Sequence, residues 1–221
     1  MKRSKEADFW NDPTIVKEFY NHPPAPYWKH FLGSIKNIQK IKILDLGCGA
    51  GRNTEFIASA GFDIWACDAH AAMVNTTKIR LTPLLREKTE KRIVCSNMLK
   101  LPFPDNFFDI IIAHGLYHNA YSVSEFKKAI NESARILKDG GFLCVNVFIK
   151  TGNNSMSVRA TNKKSLFLTK EGLRMVLLTP KEILKTFKTN KLLPENEPIL
   201  YETTVNTGRR SVFRCIFRKL T

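Results

Sequence analysis

Ile43-Leu44-Asp45-Leu46-Gly47-Cys48-Gly49-Ala50-Gly51 is the stretch on which the fold turns. A short apolar run, residues 41–46, ends in glycines. Residues 52–60 then carry a helical pattern, with Gly61 at its C-cap position. An apolar run of that length bounded by glycine reads as a buried strand. Glycines between a strand and a helix permit tight turning and close backbone approach. The helix N-terminus beyond them offers unpaired N–H groups. The spacing is GxGxG, and Arg52 stands where a dinucleotide-binding loop needs its third glycine. That disfavours a nicotinamide dehydrogenase, and no Gly-Lys-Ser/Thr follows to make a nucleotide P-loop.

Working outward, residues 62–67, 92–95, 109–113 and 142–148 read as four further strands. Residues 70–81 read as a helix stopped before Pro83. Residues 124–137 read as another, with Ser124 as N-cap and Phe126, Ile130, Ala134 and Leu137 on one face. Strands alternating with helices imply crossover connections and a mainly parallel sheet. Residues 179–189 open on Thr179 as N-cap and Pro180 at the first helical position. Residues 199–205 and 211–218 fit an antiparallel hairpin. The polar stretch 151–167 reads as a long loop, a candidate lid. Residues 1–40 hold an aromatic cluster, including Phe9, Trp10, Phe19, Tyr20, Tyr27 and Trp28, and read as a helical cap; residues 41–221 form the main domain.

Asp68 ends the second strand, where an acidic side chain can accept both hydroxyls of a ribose. With that residue in place, residues 43–51 resemble motif I of the class I S-adenosylmethionine-dependent methyltransferases. Residues 96–109, Ser-Asn-Met-Leu-Lys-Leu-Pro-Phe-Pro-Asp-Asn-Phe-Phe-Asp, resemble the family's segment from strand three into strand four. Residues 132–141, Glu-Ser-Ala-Arg-Ile-Leu-Lys-Asp-Gly-Gly, resemble its post-motif segment. The resemblance covers about residues 40–148. It implies an α/β, Rossmann-like, seven-stranded and mainly parallel sheet, with helices on both faces and a C-terminal antiparallel hairpin. It implies S-adenosylmethionine as cofactor. Gly47, Cys48 and Gly49 would pass its methionine part and Asp45 would sit near its amino group. Asp68 would take the ribose, Ala69 and Met73 would line the adenine, Asn97 and Met98 would reach the adenine edge, and His114 would lie beside the sulfonium. The family often has Asp where Asn97 stands.

After the fourth strand comes His114-Gly115-Leu116-Tyr117-His118-Asn119. It lacks Asn-Pro-Pro-Tyr and Pro-Cys, which argues against amide-nitrogen and covalent pyrimidine chemistry. It lacks a carboxylate for a magnesium site. His118, His114 and Tyr117 are the candidate catalytic residues, since an imidazole near its ordinary pKa can remove a proton from a hydroxyl or ammonium. Tyr20, Tyr27, Trp28 and Arg159 are acceptor-pocket candidates. Arg159 with Arg209 and Arg210 is a candidate clamp for an anionic group.

The charge is 35 Lys/Arg against 20 Asp/Glu, net +15. Residues 150–221 hold 15 against 5 of these. A basic third suits an anionic acceptor, with a nucleic-acid partner the less favoured alternative. The five cysteines show no metal or disulfide spacing. No apolar run is long enough for a transmembrane helix, and the basic N-terminus is not followed by an apolar core. The expectation is a cytoplasmic enzyme, metal-free, transferring a methyl group to O or N of a small polar or anionic acceptor. An RNA or protein methyltransferase using the basic third is the alternative.

Overall fold

The computed structural model describes residues 3–151, 158–159 and 165–221. The strands are β1 (Lys42–Leu46), β2 (Asp63–Asp68), β3 (Ile93–Cys95), β4 (Phe108–His114), β5 (Leu137–Phe148), β6 (Val158–Arg159), β7 (Leu166–Leu168), β8 (Arg174–Val176), β9 (Leu192–Pro194), β10 (Ile199–Val205) and β11 (Gly208–Lys219). The helices are α1 (Arg3–Asn11), α2 (Pro13–Asn21), α3 (Pro26–Gly33), α4 (Arg52–Ser59), α5 (Ala71–Leu85), α6 (Thr89–Arg92), α7 (Val123–Ile136) and α8 (Pro180–Lys188).

The main sheet runs β10-β11-β5-β4-β1-β2-β3, parallel from β5 to β3 and antiparallel through β11 and β10. It has eight strands where seven are expected, because β9 also pairs with β11. β9 and β10 occupy successive lengths of the same β11 edge, so the eighth strand lengthens a row rather than adding one. Strands β1 and β4 carry near-continuous apolar runs, Ile43 and Leu44 in one and Ile110, Ile111 and Ile112 in the other, all buried. That is the pattern of strands covered on both faces.

Local differences from the sequence reading have simple causes. Helix α5 passes through Pro83 instead of stopping before it. Ile79, whose carbonyl Pro83 cannot serve, is 75 % exposed, so water can take that carbonyl. Helix α7 is capped by Ser122, not Ser124: its hydroxyl accepts from Glu125 N–H at 3.1 Å. Helix α8 starts on the expected Thr179, with a reciprocal bond to Glu182. The 151–167 stretch falls partly outside the described residues. Its described parts join β8 as a three-stranded antiparallel sheet, β6-β7-β8.

Candidate active site

The sheet order reverses between β1 and β4, which opens a crevice beyond their carboxyl ends. The glycine loop enters it from β1. Gly47, Gly49 and Gly51 take φ of 75°, 55° and 83°, a region glycine enters without strain. A Cβ on Gly47 would stand 2.8 Å from Leu116 Cδ1, so the β1 and β4 loops already touch. The loop is tied down from β2. Gly47 N–H donates to the Cys67 carbonyl at 2.8 Å, and Gly49 N–H donates to Asp68 Oδ2 at 3.0 Å. His70 N–H donates to Asp68 Oδ1 at 3.0 Å. Oδ1 also lies 3.1 Å from His70 Nδ1, so Asp68 ties the loop to the entry of α5, and it is Oδ2 that keeps a lone pair for a hydroxyl.

A cavity of about 310 Å³ lies over this loop. Of the expected cofactor residues, Gly47, Gly49, Asp68, Ala69, Met73, Asn97, Met98 and His114 line it. Asn97 Oδ1 already accepts from Leu99 N–H at 2.9 Å, leaving its NH₂ as donor. Asp45 and Cys48 stand apart from the lining. Asp45 is buried and accepts from Thr54 Oγ1 at 2.6 Å. Burial pushes its carboxyl up to about 6, against the pull of Thr54 and Arg52. Cys48 is buried against Thr77 Oγ1 at 3.8 Å, and burial pushes its thiol up.

The expected catalytic trio separates. His118 is buried and stacked on Phe148 at 4.1 Å, and its Nδ1 accepts from Phe148 N–H at 3.3 Å. It is absent from the cavity wall. Burial, then Arg210 and His114, push it down to about 3. Tyr117 is also buried away from the cavity, its hydroxyl 2.7 Å from Ser133 Oγ, and burial raises its pKa. Both serve the core rather than the reacting atoms. Only His114 faces the cavity, and its Nδ1 accepts the indole N–H of Trp28 at 2.9 Å. Burial, with Arg52 and Arg214 near, pushes this imidazole down to about 3.

The acceptor-pocket candidates also rearrange. Tyr20 is exposed under the Arg80 guanidinium, 3.9 Å from the ring. Tyr27 packs edge-on against Trp28 and receives a bond from Asn196 Nδ2 at 3.2 Å. The Arg159 side chain lies outside the described residues. Arg210 Nη1 and Nη2 donate to the Arg209 and Thr207 carbonyls within the hairpin turn while its buried Nε finds no partner among the described residues, and Arg209 pairs with Glu202. The expected anionic clamp is therefore not assembled by the hairpin. Among the described residues the cavity wall has two carboxylates, Asp68 and Glu125, and no Lys or Arg.

Sequence reasoning had Trp10 and Phe19 only within a cap over the active site and Leu116 and Asn119 only within the segment after β4, and it missed Ala7, Tyr121 and Glu125 altogether. The aromatic cluster of the cap was the one available signal. Arg80 holds the cap in place, donating to the Tyr20 and Ala50 carbonyls at 2.9 Å each. Asn11 Oδ1 accepts from Ala72 N–H at 3.1 Å, and Glu6 Oε1 from Arg174 N–H at 3.2 Å.

Residues 44–145 match the family described as "Methyltransferase domain". A demethylmenaquinone methyltransferase of Paenarthrobacter aurescens is 35% identical over 108 residues, 48% of this chain and 38% of that protein. A ubiquinone/menaquinone biosynthesis C-methyltransferase of Neisseria gonorrhoeae is 32% identical over 128 residues, 56% of this chain and 49% of that protein. The chain thus spans less than half the length of these two curated relatives. Among solved structures, an S-adenosylmethionine-dependent methyltransferase of Methanosarcina mazei aligns with a TM-score of 0.71 at 21% identity, covering 90% of this chain and 99% of that one. A Burkholderia thailandensis 1,6-didemethyltoxoflavin-N1-methyltransferase, bound to 1,6-didemethyltoxoflavin and S-adenosylhomocysteine, aligns at 0.63 and 16%, covering 98% and 83%. No helix among the described residues is long and apolar enough to cross a membrane.

Proposed function

We propose that this chain, whose residues 44–145 form a class I S-adenosylmethionine-dependent methyltransferase domain, transfers a methyl group from that cofactor to a small, largely apolar acceptor. The observation that carries the reading is one cavity in which the glycine loop, Asp68 and His114 meet across the sheet's switch point. The donor set fits the group. Asp68 Oδ2 holds a free lone pair toward a ribose hydroxyl, Ala69, Met73, Met98 and Leu99 offer apolar walls to a purine, and Gly47 and Gly49 leave backbone in place of side chains.

When bound, the sulfonium supplies an electrophilic methyl whose departure leaves a neutral thioether. The chain's own part is placement and water exclusion. Asp68 would fix the ribose, and the helices of the cap, through Trp10 and Phe19, would close the cavity from above. Holding two reactants in line is worth several powers of ten without any proton transfer.

A cavity wall with two carboxylates and no described cation favours a neutral acceptor over an anionic one. Its aromatic and aliphatic lining is compatible with an aromatic ring. The relatives named for quinone C-methylation add carbon to oxygen and nitrogen as the atom methylated. They lend no support to an RNA or protein acceptor. The test is calorimetry with S-adenosylmethionine in EDTA, where affinity of order −8 kcal/mol is expected. Equal or tighter binding of NAD would sink the assignment.

A further inference from the structure

We propose that Trp28 is a positioning residue that fixes His114 as a hydrogen-bond donor toward the acceptor, by holding its imidazole in the Nε2–H form. The assignment follows from hydrogen-bond direction. An indole nitrogen only donates, so the His114 Nδ1 that meets it at 2.9 Å must be an unprotonated acceptor. A neutral imidazole carries one proton, which then sits on Nε2. A doubly protonated ring would bring two N–H groups head to head, so the contact also opposes the imidazolium. The charged groups facing the ring act the same way: Arg52 from α4 and Arg214 from β11.

Trp28 cannot easily withdraw. It is 1 % exposed and lies perpendicular to the imidazole, with ring centroids 6.1 Å apart. Its helix is seated at the start by Ala25 N–H donating to Asn53 Oδ1 at 3.0 Å. The Arg214 guanidinium covers the Tyr27 ring at 4.8 Å and the Trp28 ring at 6.0 Å. The contact spans 86 residues, so the cap dictates the protonation of a residue at the end of β4.

The chemical consequence rests on the methyl-transfer reading; the tautomer does not. With Nδ1 taken, the polar group that His114 has left for the cavity is an N–H. That is a donor, not a base. In the transfer, an electron pair of the acceptor forms the bond to the methyl carbon. The carbon–sulfur bond breaks and its pair stays on sulfur. The His114 proton stays on Nε2, and any proton the acceptor gives up goes to water. The acceptor therefore carries an oxygen that accepts the His114 N–H, as in an enol, a phenol or a ring carbonyl.

The test uses the full chain labelled with ¹⁵N-histidine, with S-adenosylhomocysteine added. His114 should show a single Nε2-protonated form that does not change between about pH 5 and 8. Trp28→Phe, which keeps a ring but loses the donor, should give mixed tautomers or a titration in that range. An Nδ1-protonated or titrating His114 in the unaltered chain overturns the proposal, as does an unchanged spectrum in Trp28→Phe. Turnover is then read as S-adenosylhomocysteine released with reduced 1,4-naphthoquinone as probe acceptor. His114→Ala should cost about 10²–10³-fold, the scale of one lost oxyanion donor. His114→Gln, which keeps an N–H near the Nε2 position, should recover at least about tenfold of that loss. Equal turnover in all three, or no turnover of the probe while S-adenosylhomocysteine still binds, overturns the donor role. Failure of the unaltered chain to bind S-adenosylhomocysteine instead defeats the methyl-transfer reading and leaves the tautomer standing.

Discussion

The glycine loop and the N-terminal cap face each other across one cavity, yet they are specified in opposite ways. Residues 46–49 shape their side of the cavity through backbone, with positive φ at Gly47 and Gly49 and N–H groups tied to Cys67 and Asp68. The cap shapes its side through side chains alone: Ala7, Trp10 and Phe19. Its position depends on long-range contacts, Arg80 to the Tyr20 carbonyl and Trp28 to His114. The difference teaches how, on the proposed function, one cofactor site could serve different acceptors. The glycine-loop half is built from local conformation. The cap half is a separable layer of side chains held by distant contacts.

Breaking the loop should have the largest effect. Gly47→Val places a β-branched residue at φ 75° and a Cβ 2.8 Å from Leu116. Strain and overpacking together should cost roughly 4 kcal/mol. Chemical denaturation and S-adenosylmethionine calorimetry on the same sample should both register it. A variant with near-normal affinity would mean the loop is not the cofactor's backbone cradle.

Asp68→Ala removes the side-chain anchor of the same half. Cofactor binding should weaken by about 1.5–3 kcal/mol, the scale of hydrogen bonds to a charged group. Unchanged binding would reduce Asp68 to a helix cap for α5.

His114 sits where the halves join and His118 in the core beside Phe148, and both make the fold acid-labile. Both imidazoles are held near 3, against an ordinary value of 6.5. The unfolded chain binds their protons first, so the stability they carry is present above pH 6.5 and is lost as pH falls from there toward 3. By pH 5 each should cost roughly 2 kcal/mol. Urea midpoints measured across that range should fall, and His118→Gln should flatten the fall. Asp45 opposes the trend: its carboxyl, raised to about 6 from 3.8, gives most stability below 3.8 and loses it as pH rises through 6. A flat profile through pH 5 would contradict the burial of both rings.

Loosening the cap should have the smallest effect on the fold. Arg80→Ala removes the stack on Tyr20, the ion pair with Glu55 at 2.9 Å and two carbonyl bonds, from a side chain that is largely buried. About 1–2 kcal/mol is expected, felt mostly in the cap. Hydrogen exchange should speed in α2 and stay unchanged in β1 and β4. Equal loss in both regions would mean that cap and sheet are one cooperative unit.

How much of this was legible in the sequence divides along the same line. The apolar runs of β1, β4 and β5, the glycine loop and Asp68 were readable because each depends on residues within one strand or one turn. His118 and Tyr117 misled for the same reason. Their position after β4 is local, but their burial is set by Phe148 and Ser133 on other elements.

The sequence alone therefore determined the parallel α/β sheet, the glycine-loop half of the cavity and the resemblance to methyltransferases. All of these rest on spacing, on glycine's access to positive φ and on apolar periodicity, which act over a few residues. Only the tertiary structure decided that β9 extends the β10 row, and that residues around the 151–167 stretch form a second small sheet. It also decided that the hairpin arginines bond within their own hairpin, and that Trp28 reaches His114. Those depend on which side chains meet after the chain has closed, and a donor and an acceptor 86 residues apart leave no periodic trace between them.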